Sequence, residues 1–115
     1  MRIYIAGPYT AYTNIQGVSL SVDYNIGVAE AVAAGLYRRG HTPFCPHTMT
    51  AHFDDSFPDI PKDVYLETDL EWLELCDAIV LLPGWEHSSG AIVELARAKE
   101  LGLEIYYNVS DIPNA

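Results

Sequence analysis

Residues 76–102, CDAIVLLPGWEHSSGAIVELARAKELG, read as a buried strand, a Gly/Ser-rich turn and a helix. Residues 78–82 form a short continuous apolar run, the pattern of a strand covered on both faces. Pro83 and Gly84 stop it. Ser88-Ser89-Gly90 then supplies hydroxyls and a permissive backbone where a helix is predicted over 91–101, with Ser88 or Ser89 as N-cap. A helix N-terminus at the carboxyl end of a central strand presents unpaired N–H groups and favours an anion. In an open α/β sheet the same crevice is the usual place for a ligand.

Working outward, residues 2–6 make a first strand centred on Ile3, Tyr4 and Ile5, broken by Gly7-Pro8-Tyr9. Residues 10–23 are polar and read as a long surface loop, a feature that is often functional in small domains. A helix is predicted over 24–39, with Ile26, Ala29, Val32, Ala33 and Leu36 inward and Gly40 as its stop. Residues 42–45 form a second, short strand closed by Pro46. Residues 47–63 show no sustained period and read as a lid or surface loop. A helix over 63–76 turns Leu66, Leu70 and Leu73 inward, a last strand covers 104–107, and the tail from 108 carries Pro113 and little else. Strands alternating with helices predict right-handed crossovers and a small parallel sheet, order 2-1-3-4, in one α/β domain spanning 1–115. Loops 7–23 and 83–90 then face each other across one crevice.

The composition narrows the function. Six basic residues against sixteen acidic ones give a net charge of -10, which argues against binding a nucleic acid polymer or an anionic membrane. One small phosphate is still compatible, because local donors outweigh the mean field. The apolar run before Gly7-Pro8 is too short for a signal peptide or a membrane span. Cys45 and Cys76 sit among apolar neighbours and do not make a disulfide framework, so free thiols and a cytoplasmic location are expected. His41, His47, His52 and His87 lack metal spacing, and neither a dinucleotide fingerprint nor a P-loop is present. No cofactor is expected.

Glu94 stands among Ile92, Val93, Leu95 and Ala96 in a helix that is apolar almost all round. It is either a carboxylate at a crevice or half of an ordinary helix-surface ion pair with Arg97. Asp69 shares a helical face with Trp72, Leu73 and Cys76, apart from Glu67, Glu71 and Glu74. An aspartate on a buried stripe is costly unless bonded or used, and a cap or backbone hydrogen bond is the plain alternative. Two carboxylates converging on one pocket suit nucleophile-plus-acid work at a glycosidic carbon. Tyr4 alternates inward in its strand, and Gly7 permits a ligand close to the backbone.

Tyr4-Ile5-Ala6-Gly7-Pro8-Tyr9 resembles the opening motif of the nucleoside 2-deoxyribosyltransferase family. Asp69, then Cys76-Asp77-Ala78, then Ser88-x-Gly90-x-x-x-Glu94-x-x-x-Ala98 resembles its second half, so the likeness runs from residue 3 to about 105. The resemblance implies a flavodoxin-like three-layer α/β/α sandwich, cleavage of an N-glycosidic bond, and a homodimer or higher homo-oligomer. It implies Glu94 as the nucleophile at C1′, Asp69 contacting the base and helping to protonate it, and Tyr4 holding Glu94. Gly7, Pro8, Tyr9, Ser88, Ser89 and Gly90 would bind a nucleotide or nucleoside substrate. Position 88 is typically an aspartate in the transferases of free nucleosides, whereas Ser88 is similar to the branch that hydrolyses nucleotides, where it contacts a 5′-phosphate. A serine beside a helix N-terminus suits phosphate, and an aspartate would repel it. Nucleoside 5′-monophosphate hydrolysis is the expected activity. Base exchange between free deoxynucleosides is the alternative within the family, and a noncatalytic nucleotide-binding or nucleotide-sensing module is the alternative outside it.

Overall fold

The computed structural model describes residues 1–115. Two apolar strands at the centre dictate the architecture. β1 (Arg2–Ala6) and β5 (Ala78–Leu81) pair in parallel, with Ile3 opposite Ala78 and Ala6 opposite Leu81. β4 (Thr42–Phe44) joins the outer edge of β1, and β6 (Glu104–Tyr106) joins the outer edge of β5, both parallel. The order β4-β1-β5-β6 is the predicted 2-1-3-4 of the main strands. Pro43 is tolerated because β4 lies at the sheet edge.

Strand alternation divides the core in two. Ile3, Ile5, Ala78 and Val80 face α1 (Val22–Arg38), where Ala29, Ala33 and Leu36 meet them. Tyr4, Ala6, Ile79 and Leu81 face the other way, toward Leu73 of α4 (Lys62–Leu73) and Ala91, Leu95 and Ala98 of α5 (Ser89–Leu101). A parallel sheet covered by helices on both faces is a flavodoxin-like three-layer α/β/α sandwich. No helix is long and apolar enough to cross a membrane.

Capping explains where the helices begin and end. Ser21 accepts the Tyr24 N–H at 3.0 Å and starts α1 two residues earlier than its apolar period suggests. Gly102, at φ 72°, takes the left-handed conformation that closes α5.

Three stretches depart from expectation. The predicted loop 10–23 contains a hairpin, β2 (Tyr12–Thr13) against β3 (Ser19–Leu20), closed through Asn14 and Gly17 at φ 80°. The predicted loop 47–63 contains two single-turn helices, α2 (Pro46–Met49) and α3 (Phe53–Ser56). The tail is anchored: Ile112 is buried in the α1-side core, and His41 bonds the Pro113 carbonyl at 2.6 Å. Within α4, Trp72 is not inward as expected. It is 44% exposed and stacks on Phe44 at the sheet edge, ring centroids 5.2 Å apart.

Candidate functional site

A cavity of about 260 Å³ opens at the carboxyl ends of β1 and β5. Gly7, Tyr9 and Thr10 reach it from the turn after β1, and Ser88, Gly90 and Glu94 from the start of α5. The two predicted loops therefore do face each other. Gly7 is there for close packing: a Cβ would come within 2.6 Å of the Leu82 Cβ.

Ser88 is the N-cap of α5, with its Oγ accepting the Ala91 N–H at 3.1 Å. That bond uses a lone pair and leaves the hydroxyl proton free to donate. Glu94 lies one and a half turns further on, 7% exposed, and the Tyr4 phenol donates to its Oε2. Burial raises the Glu94 carboxyl to about 8; the Tyr4 hydrogen bond opposes that shift, and nearby Asp69 adds to it. Tyr4 is fully buried and its ring stacks on Phe44, so the phenol that grips Glu94 is itself fixed. Burial and the two carboxylates push the Tyr4 hydroxyl far above its usual range, so it acts only as a hydrogen-bond donor. Asp69 is half-buried, lines the same cavity, and is raised to about 6 by burial.

Arg97 is not the partner of Glu94. It pairs instead with Glu74 at 2.5 Å and Glu100 at 3.0 Å, because its position on α5 faces outward toward the end of α4. The crevice alternative for Glu94 is the one the geometry supports.

The remaining predicted site residues divide. Gly7, Tyr9, Ser88 and Gly90 line the cavity, whereas Pro8 and Ser89 do not. Pro8 packs on the opposite side against the hairpin, and only its carbonyl turns back, to accept from His47 at 2.9 Å. Ser89 is the first residue of α5 and points to solvent.

Sequence reasoning missed the wall built by α2, α3 and α4. His47, Thr50 and Asp54 come from the supposed loop, Pro46 from the residue just before it, and Lys62, Tyr65 and Leu66 from α4. Tyr65 and Leu66 were legible, since they lie one turn before Asp69 on the predicted helix, and Lys62 extends the same stripe once α4 is seen to begin there. The others were not, since a four-residue helix is too short to show a period. This segment is tied down around Tyr9, whose hydroxyl accepts the His52 N–H at 2.8 Å and donates to Asp54 at 3.2 Å. His52 holds a left-handed conformation (φ 61°) and its ring pairs with Asp23 at 3.0 Å.

The class defined by this fold and site is an α/β domain with one buried and one half-buried carboxyl group in a crevice at the carboxyl end of its sheet. A family model described as a domain of unknown function (DUF4406) matches residues 1–107, and the chain belongs to that family. No curated protein matches it.

Proposed function

We propose that this chain hydrolyses the N-glycosidic bond of a (deoxy)nucleoside 5′-monophosphate and releases the free base. One observation carries the reading: a buried glutamate held by a buried tyrosine, in the wall of a ligand-sized cavity that also contains a second carboxyl of raised pKa. Holding two carboxyl groups of raised pKa in one cavity wall opposes folding, and such pairs are characteristic of acid–base and nucleophilic sites. The resemblance to nucleoside 2-deoxyribosyltransferases supports the same roles.

In this mechanism the Glu94 carboxylate attacks C1′ and forms a glycosyl ester while the C1′–N bond breaks. The bonding electron pair leaves with the base nitrogen, which takes the proton of Asp69. Water then attacks C1′, Asp69 accepts its proton, and Glu94 departs as the carboxylate. Between about pH 6 and 8 the pair holds one proton. Glu94, the more deeply buried, keeps it in the free protein; the reaction draws on the minor arrangement with the proton on Asp69, which the Tyr4 hydrogen bond makes less costly by stabilising the ionised glutamate. The phosphate would lie at the α5 N-terminus, on the Ser88 hydroxyl, backbone N–H groups and Thr10.

Incubation with a panel of nucleosides and monophosphates, with and without an acceptor base, tests the reading by chromatography of free base. Release from monophosphates without acceptor is the expected result. Products only with acceptor would identify a transferase, and binding without any product a noncatalytic module. Glu94→Gln should abolish turnover while binding stays within roughly tenfold; wild-type rates in that variant would end the mechanism.

A further inference from the structure

The fold leaves two buried polar side-chain atoms without a partner, His47 Nδ1 and the Tyr65 hydroxyl. Both residues stand in the wall of the cavity described above. Buried polar atoms are paired in the great majority of cases, so two exceptions in one wall point to a ligand that completes them.

The chemistry of each atom is fixed by its surroundings. His47 is 6% exposed, and its Nε2 lies 2.9 Å from the Pro8 carbonyl, which can only accept. Nε2 therefore carries the proton. Burial lowers the pKa of the ring, against the Pro8 and Gly7 backbone contacts that raise it, which favours the neutral ring, with Nδ1 as an acceptor that has no partner. On α4, Tyr65 lies one turn before Asp69, and Lys62 lies about 10 Å from Asp69 along the helix axis. Lys62 is the only lysine or arginine in the cavity wall, and it has no salt-bridge partner. Its ammonium can only donate.

The two ends of the cavity also differ in kind. The turn after β1 and the start of α5 contribute Gly7, Thr10, Ser88 and Gly90, small or hydroxylic groups suited to a sugar phosphate. α2 and α4 contribute Pro46, Leu66 and the Tyr65 ring, apolar surface on which a flat heterocycle packs. We infer that the α2–α4 end is a nucleobase site for a 6-oxopurine or 4-oxopyrimidine, with Tyr65 and Lys62 donating to the exocyclic oxygen and His47 Nδ1 accepting from the adjacent ring N–H. An amino base would place an NH₂ group against the ammonium and a bare ring nitrogen against the His47 lone pair. The assignment rests on the proposed function only for the direction in which the ligand lies.

Calorimetric titration separates the two claims. The full-length Glu94→Gln protein, which does not consume ligand, is titrated with inosine and adenosine 5′-monophosphates, and with deoxyuridine and deoxycytidine 5′-monophosphates. The oxo member of each pair should bind at least tenfold more tightly, and Tyr65→Phe and Lys62→Met should each shrink that ratio at least threefold. His47→Gln, which restores an acceptor, should retain more of the ratio than His47→Phe. A ratio within twofold, a preference for the amino bases, or a ratio unmoved by Tyr65→Phe and Lys62→Met would overturn the inference. So would a Lys62→Met loss equal for both members of a pair and absent with unphosphorylated nucleosides, since the ammonium would then serve the phosphate. An oxo preference in binding without base release by the wild-type protein would uphold this site and defeat the hydrolase. Base release without the preference would do the reverse, and no binding of any member would defeat both.

Discussion

Replacing Glu94 by glutamine should stabilise the protein, and by an amount that depends on pH. The carboxyl has an ordinary value of 4.5 and is raised to about 8 by burial. Between those values the folded chain holds a proton that the unfolded chain has released. Stability therefore falls as pH rises through this window, by about 1.4 kcal/mol per unit. Between about pH 5 and about pH 7.5 this one group costs the wild-type protein about 3 kcal/mol. Glu94→Gln keeps the volume and an oxygen to accept from Tyr4, but it does not ionise. Its advantage over the wild type should be small at the lower pH and about 3 kcal/mol larger at the higher one. Urea unfolding followed by the fluorescence of Trp72 and Trp85 measures both variants under both conditions. An advantage that changes by less than about 1 kcal/mol would mean that the carboxylate is solvated in the folded state. A solvated Glu94 would not be the buried carboxyl that the proposed chemistry requires.

The wild-type kcat/KM should follow a bell-shaped pH profile with limbs near 6 and 8, because the pair carries one proton only in that interval; a flat profile over this range would exclude the pair from the rate-limiting chemistry. Tyr4→Phe keeps the stacking on Phe44 but removes the bond that lowers the Glu94 pKa, so the alkaline limb should move to higher pH while the protein still folds. Ser88→Asp preserves the cap, since aspartate caps as well as serine, and thermal stability should change by less than about 1 kcal/mol. The same change should weaken monophosphates at least tenfold relative to nucleosides, by placing a charge where the phosphate lies, and equal effects on both would remove the phosphate from Ser88. Gly7→Ala drives a Cβ to 2.6 Å from that of Leu82 and should cost more than about 2 kcal/mol, read by thermal unfolding.

Elements long enough to show a period were legible from the residues. The apolar runs of β1 and β5 specified a doubly covered sheet, and Gly40 marked the end of α1 as predicted. Elements no longer than about one period were not. The strands β2 and β3 are two residues each, and α2 and α3 one turn each, so composition reads all four as loop. Side-chain partners chosen in three dimensions were equally hidden. Arg97 is three residues from Glu94, yet its carboxylates come from Glu74, twenty-three residues away, and from Glu100. Ile112 looks like a tail residue but closes the α1-side core, because Arg39 bonds Asn114 and Val109 and draws the chain back.

The places where this chain breaks the rules of a stable fold coincide. Glu94 and Asp69 are acids held near or above neutrality by burial, His47 and Tyr65 carry its two unpaired buried atoms, and His52 is its only non-glycine residue with positive φ. The first four line one cavity, and His52 bonds the Tyr9 that lines it too. Scattered over the molecule, such features would read as tolerated defects. Concentrated around a single cavity at the carboxyl end of a parallel sheet, they are what a sequence retains when a ligand, rather than folding, sets the choice of residues. A ligand of the right class should therefore stabilise the wild-type protein by more than it stabilises Tyr65→Phe or His47→Phe, because only in the wild type does binding satisfy both atoms.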